Sequence, residues 1–436
     1  MSRMLGELRD HYGDQILIRT GKAMRPTPFA EDLRLRLRAW ANEADMLLDR
    51  PLEPPQPVIA SHEGKDWRRA SLLPRAPLSV TKDEPLTAAP TPIGIAHKLA
   101  AIGDNAEPHR RLARHIAHVA PGPGHGRPLT EEEAEDAFGI LLRGEADPLQ
   151  VGAFLIAIQH RSASVAELAG FVAAIRWHVS IALPASLQPE LDWPAYLSPK
   201  WREPPWFIHA ARLVAMAGHR ILIHGHFGQG AESGKLEAAA EDAGIPVCLI
   251  ADDLSDAYTR HNIAFMPLGA LSPQVQALLE LYPLFEMRTA LKNAVNLINP
   301  LAAPVTVLGA AQGSRRDLYR NVAGLLKMRE LAVVGTNRDF AQVPAGRQTK
   351  LMRLVAGCEL DTHLPARRLE MSPAPTLMTQ REYWNALWSG AVRDQEAEDV
   401  VLHTAAAALL ALARDAAMPF DDALEQARQL WLQRRR

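Results

Sequence analysis

The sequence predicts an α/β protein with three parts in order: a proline-rich extension, a small helical domain, and a larger α/β domain on a mostly parallel sheet. Three observations carry that reading. Between residues 130 and 180, three short amphipathic segments follow one another with tight connections. Beyond residue 206, apolar runs of strand length alternate with helical patterns, the rhythm of a parallel sheet with crossover helices. Residues 51–94 are dense in proline, which blocks helix interiors and favours extended backbone. The boundaries fall at 1–105, 106–185 and 186–436.

In the extension, Phe29 to Leu48 has apolar residues near helical spacing and predicts a helix. The proline-rich run after it reads as a linker or as a peptide draped over the main domain.

The helical domain announces its own caps. Thr130 with Glu133 forms a capping box: the hydroxyl takes an amide three residues on, and the glutamate returns the bond. That helix should reach about Leu142. Asp147-Pro148 starts a second helix, with Val151, Phe154, Leu155 and Ile158 on one face. Ser164 caps a third, which buries Leu168, Phe171, Val172 and Ile175.

In the α/β domain, a helix over Phe207–Met216 should end at Gly218. The strands expected are Arg220–His224, Ile245–Ile250, Ala264–Met266, Val305–Leu308 and Leu331–Val334, with a helix over Ser233–Ala243 and a helical end from about Ala397 to Leu432.

Bulk properties exclude several classes. The 436 residues are 47% hydrophobic and 22% charged, enough to bury a large core. A net charge of −2 leaves no global basic surplus, so polyanion binding would need a local patch. The two cysteines, Cys248 and Cys358, sit in apolar runs and read as reduced core residues, which fits a cytoplasmic protein. No run of about 18 apolar residues suggests a membrane span, and the N-terminus does not read as a secretory signal.

Four stretches follow in order: Pro128-Leu129-Thr130-Glu131-Glu132-Glu133-Ala134, Leu142-Arg143-Gly144-Glu145, Gly152-Ala153-Phe154-Leu155-Ile156-Ala157 and Glu167-Leu168-Ala169-Gly170-Phe171. In these, and from roughly Arg110 onward, the chain resembles the anthranilate phosphoribosyltransferases. The resemblance implies a helical and an α/β domain closing on a cleft, and a homodimer through the helical domain. The implied reaction has an acceptor nitrogen displacing pyrophosphate from the ribose anomeric carbon.

The family's ligand motifs are altered. Its glycine loop should precede Trp206, but Trp193–Pro205 has no glycine and several prolines, so an amide nest for phosphate cannot be built the same way. Lys200 and Arg202 could supply charge there. The family's Asn-x-Ser-Thr helix start becomes Pro205-Trp206-Phe207-Ile208. Its Lys-His-Gly-Asn loop becomes Ile223-His224-Gly225-His226, and the serine-glycine turn survives as Ser233-Gly234-Lys235. The Arg-Thr pair is kept at Arg288-Thr289. The acidic pair that holds magnesium becomes Asn337-Arg338-Asp339. This pattern is similar to a divergent branch that includes binders of single-stranded nucleic acid.

His224, Gly225 and His226 are read as lying after a strand and before a helix, the usual ligand crevice of an α/β sheet. They are candidate ligand contacts, with Ser233, Gly234, Lys235 and Arg288, the last either ligand-facing or salt-bridging on a helix. Lys200, Arg202, Lys292, Arg315 and Arg316 are candidate phosphate contacts; for Arg315 and Arg316 a solvated helix start is the favoured alternative. Trp193, Trp201 and Trp206 could stack a base, but core packing is favoured. No dedicated metal site is expected. Asp339 and Glu237 are weak candidates, with magnesium only if phosphoribosyl pyrophosphate is bound. The functional expectation is a divergent phosphoribosyltransferase-like protein that is not an ordinary anthranilate enzyme. The alternative is a non-catalytic single-stranded nucleic-acid binder on the same fold.

Overall fold

The computed structural model describes residues 14–20, 23–34, 102–121, 126–179, 187–197, 204–227, 235–336, 340–344, 346–366, 378–413 and 417–434. The chain divides into two compact units, Met1–Ala89 and Pro90–Arg436. In the first, β1 (Leu17–Thr20) pairs antiparallel with β2 (Ala23–Pro26) and is followed by a helical stretch at 28–34. The rest of the expected 29–48 helix and the proline-rich run lie outside the described residues.

The second unit opens with four helices: α1 (Pro108–Val119), α2 (Glu131–Leu142), α3 (Pro148–Arg161) and α4 (Val165–His178). Three of the four begin as the sequence dictates. The Thr130–Glu133, Asp147–Gln150 and Ser164–Glu167 boxes all form. Each satisfies amides that a helix start leaves without partners. Glu167 does more than cap. It is fully buried, accepts from the amides of Leu129 (2.9 Å) and Ser164 (2.8 Å), and pairs with Arg161. One carboxylate thus ties α4 to the entry of α2.

The α/β part is a seven-stranded sheet. Its strands are β3 (Leu191–Leu197), β4 (Ile221–Phe227), β5 (Ile263–Pro267), β6 (Val305–Ala310), β7 (Glu330–Gly335), β8 (Thr349–Val355) and β9 (Cys358–Leu364). The spatial order is β5-β4-β3-β6-β7-β8-β9. The first five run parallel, and β8 and β9 add an antiparallel hairpin. The larger helices beside the sheet are α5 (Trp206–Met216), α6 (Lys235–Asp242) and α7 (Ala251–Arg260). Four short ones follow: α8 (Leu268–Leu271), α9 (Pro273–Leu279), α10 (Tyr282–Phe285) and α11 (Leu291–Ala294). Then come α12 (Gly313–Leu325), α13 (Gln380–Ser389), α14 (Gln395–Leu412) and α15 (Phe420–Gln433).

Alternation along the strands makes two cores, because successive side chains leave a strand on opposite faces. Leu191, Trp193, Ile221, Ile223, Val305 and Val307 pack with α5, α14 and α15. Tyr196, Leu222, Leu308, Leu331 and Val333 pack with the helical domain and α12.

Four expectations need correction. Ile245–Ile250 is not a strand: only the single bridge Val247↔Phe265 forms, where Pro246 has no N–H to extend a ladder. His224 does not precede a loop, since β4 runs on to Phe227. Arg288 is not helical; it is exposed in the irregular segment between α10 and α11. Cys358 is exposed at the start of β9, whereas Cys248 is buried; both are free thiols.

Replacing Glu167 with Ala should cost about 3–5 kcal/mol in urea unfolding, because Arg161 and two amides lose their buried acceptor. A loss below about 1 kcal/mol would mean that this carboxylate does not organise the helical domain.

Candidate functional site

In an open parallel sheet, ligands bind outside the carboxyl ends of the strands, where the connections change direction. Here that point is fixed by topology. From β3 the chain passes to α5 on one face and to β4 on one side; from β6 it passes to α12 on the other face and to β7 on the other side. The switch therefore lies between β3 and β6. The two strands pair only at Leu191↔Val305 and Asp192↔Thr306. The ladder stops two residues before Pro194, which has no N–H to donate. Beyond that point the two strands no longer pair, and their carboxyl ends flank the crevice that an open parallel sheet offers at its switch point.

Beneath the crevice lies a buried polar cluster. Asp192, His224 and Thr306 have no solvent exposure. Thr306 Oγ1 donates to Asp192 Oδ2 at 3.2 Å. His224 Nε2 lies 3.0 Å from Asp192 Oδ1, a close contact without hydrogen-bond alignment. His224 Nδ1 is 2.8 Å from the Tyr196 hydroxyl. Burial, reinforced by the Asp192 carboxylate, pushes the Tyr196 phenol well above its ordinary range. The phenol therefore stays protonated and can donate to Nδ1. Arg176 of α4 adds a compensating charge. Burial lowers its affinity for its proton and Asp192 raises it, while its guanidinium donates to the carbonyls of Ile298 (2.7 Å) and Leu297 (3.0 Å).

Two cations stand at the rim. Lys292 of α11 donates to the carbonyl of Tyr196 at 3.2 Å, near the carboxyl end of β3. Arg316, in the first turn of α12, lies against Gly335 at the carboxyl end of β7; a Cβ at Gly335 would sit 2.7 Å from its Nη1. The Nε of Arg316 is buried without a hydrogen-bond partner. Arg315 is half-buried beside it. Helix α12 has no side-chain N-cap. Cations in a first helical turn oppose the helix dipole, an arrangement that an anion would reconcile.

The remaining candidates divide sharply. His224 is a buried strand residue rather than a rim residue. Gly225 is where β3 and β4 approach closely: a Cβ there would lie 2.1 Å from the carbonyl oxygen of Ala195. His226 is partly exposed, with Nε2 at 3.9 Å from Glu280. Lys235 is exposed at the start of α6. Glu237, in the same turn, has an Oε2 without a partner. Trp193 and Trp206 are buried in the core. Lys200, Trp201, Arg202, Ser233, Gly234 and Asp339 lie outside the described residues. At the start of α5 the Phe207 amide donates to Gln342 Oε1 at 3.1 Å, so a group that could face a phosphate is engaged from within.

Asp192, Tyr196, Thr306 and Arg176 escaped the sequence reading. The available signal was an aspartate flanked by Leu191 and Trp193, since a carboxylate in a buried strand requires a partner.

Comparison with known proteins agrees with this architecture. Residues 116–179 match the glycosyl transferase family helical bundle domain. The anthranilate phosphoribosyltransferase of Thermus thermophilus superposes with a TM-score of 0.58 at 18% identity, over 74% of this chain and 94% of that one. The Saccharomyces cerevisiae enzyme, in complex with phosphoribosyl pyrophosphate and magnesium, gives 0.59 at 14% identity, over 74% and 93%. This chain has the anthranilate phosphoribosyltransferase fold. Among curated relatives, the Lactococcus lactis enzyme is 25% identical over 51% of this chain, a match spanning 66% of that relative's length, just under two thirds. The Thermomicrobium roseum enzyme is 27% identical over 70% of this chain and 88% of its own. The Gluconobacter oxydans enzyme is 48% identical over 56 residues.

Within this fold, Tyr196→Phe should destabilise by about 1–3 kcal/mol, because His224 Nδ1 loses its partner in a dry site. Chemical denaturation measures it, and an unchanged midpoint would remove the cluster from the account.

Proposed function

We propose that the protein is a phosphoribosyltransferase-like binder of a phosphorylated small molecule, held in the crevice between β3 and β6, and that it is not an ordinary anthranilate enzyme. The observation that carries this reading is Arg316: a guanidinium at the carboxyl edge, in the first turn of an uncapped helix, with a buried Nε lacking a partner. Lys292 and Arg315 stand with it, on helices that start near the same edge. A guanidinium fork suits phosphate oxygens, and helix-start amides add to it.

The chemistry open to such a site is displacement at the anomeric carbon. The acceptor nitrogen forms the new C–N bond as the C–O bond to pyrophosphate breaks, and the leaving group carries the electron pair. Lys292 and Arg316 would neutralise that charge, and positioning would supply the rest of the rate. In this reading magnesium is not a resident ion. Among the described residues near this edge, Glu237 alone of the sequence candidates offers a carboxylate, while such ions are usually anchored by one or two carboxylates plus substrate phosphates. Magnesium would come with the ligand. A homodimer through the helical domain belongs to the same reading.

Thermal-shift titration with phosphoribosyl pyrophosphate and magnesium tests it, since a ligand of the folded state raises Tm with concentration. The expected result is a saturable rise that Arg316→Ala abolishes while the unliganded Tm stays within a few degrees. If only a single-stranded oligonucleotide raises Tm, and the rise fades with salt, the small-molecule reading fails and nucleic-acid binding replaces it.

A further inference from the structure

We propose that the helical domain carries a transition-metal site in which His115, His118 and Glu133 coordinate a divalent ion in place of the Arg127 guanidinium. The site shares no residue with the crevice, and the proposal stands independently of it.

The geometry comes from two helices. His115 and His118 are three residues apart on α1 and so share a face. Glu133 is the third residue of α2. One ligand atom from each of the three lies within 4.8 Å of the other two. Behind His115 stands Asp136, whose Oδ2 is 3.0 Å from Nε2. Asp136 is itself fixed by Arg111 at 2.8 and 3.1 Å. A carboxylate on one ring nitrogen orients a metal-binding imidazole and makes the other nitrogen a better donor. That other nitrogen, Nδ1, is buried and has no hydrogen-bond partner, on a residue only 1% exposed. A buried polar atom left without a partner is costly and calls for an explanation.

Arg127 already engages two of the three donors. Its Nη2 lies 3.1 Å from His118 Nδ1, so that nitrogen presents a lone pair. Its guanidinium donates to both Glu133 oxygens at 2.6 Å, so the carboxylate presents lone pairs to the same place. A metal ion is bound through lone pairs presented in this way.

Arg127 marks where positive charge is wanted, for it bridges His118 and Glu133. Its side chain is 47% exposed, and exposed ion pairs contribute little, so an ion can displace it outward. Two imidazole nitrogens with one carboxylate suit zinc, cobalt or nickel rather than magnesium or calcium. Three protein ligands leave one position open.

Isothermal titration of the full-length, chelator-treated protein with Zn2+ tests the site, with Co2+ absorption reporting geometry. One ion per chain is expected, with a four-coordinate Co2+ band. His118→Gln and Glu133→Gln should each weaken binding at least roughly tenfold, the scale typical of disturbed metal sites. Glutamine at 133 still completes the helix cap, so that variant should keep its fold. Arg127→Ala should bind severalfold tighter, because the competing cation is gone. No saturable binding in either the wild type or Arg127→Ala overturns the proposal. So does binding that both glutamine variants leave within about twofold, which would place the ion on histidines elsewhere.

Discussion

A single buried carboxylate constrains the sheet. Asp192 sits in β3, an interior strand of the sheet, where burying an unpaired charge would be prohibitive. Its partners come from both neighbouring strands: Thr306 of β6 on one side and His224 of β4 on the other. Side chains alternate along a strand, so a one-residue slip of any of the three would turn a partner to the opposite core. The cluster therefore fixes the register of β4, β3 and β6 together. Arg176 brings the helical domain into the same electrostatic arrangement, since its guanidinium senses Asp192 while binding the carbonyls before β6.

Fixing that register also fixes the crevice. Once Asp192 and Thr306 are paired, Pro194 falls where the β3–β6 ladder stops. Proline cannot donate, so the gap at the switch point is written into the strand. In the proposed reading, the chemistry of recognition changes with it. A glycine-rich loop recognises phosphate through backbone amides; this chain has proline there and engages the Phe207 amide with Gln342. Among the described residues, the edge offers side-chain charge from Lys292 and Arg316. Side-chain cations give strong attraction with less geometric definition than a backbone cradle, consistent with altered ligand choice on a retained fold.

The legible and illegible parts of the fold divide by range. Caps at Thr130, Asp147 and Ser164 were readable because every group involved lies within four residues. The parallel strands β4 to β7 were readable as buried apolar runs. Strand β3 was not, because Pro194 argues against a central strand; its tolerance depends on β6 ending its pairing there. The β8–β9 hairpin was missed because its register, such as Met352↔Asp361, belongs to an edge whose outer strand is largely exposed. In the site, Lys292, Arg315 and Arg316 were recognisable as cations near strand ends. His224 was misplaced because the two residues after it, Gly225 and His226, look like a turn. Gly225 is in fact a strand residue selected by the close approach of Ala195.

The central claim is that a phosphorylated ligand occupies the crevice between β3 and β6. The most direct measurement is a crystal structure of the protein soaked with phosphoribosyl pyrophosphate and magnesium. The account predicts density for the phosphates at the start of α12, with the Arg316 guanidinium and the Lys292 Nζ both within hydrogen-bonding distance. Phosphates bound elsewhere, or an empty crevice at saturating ligand, would contradict it.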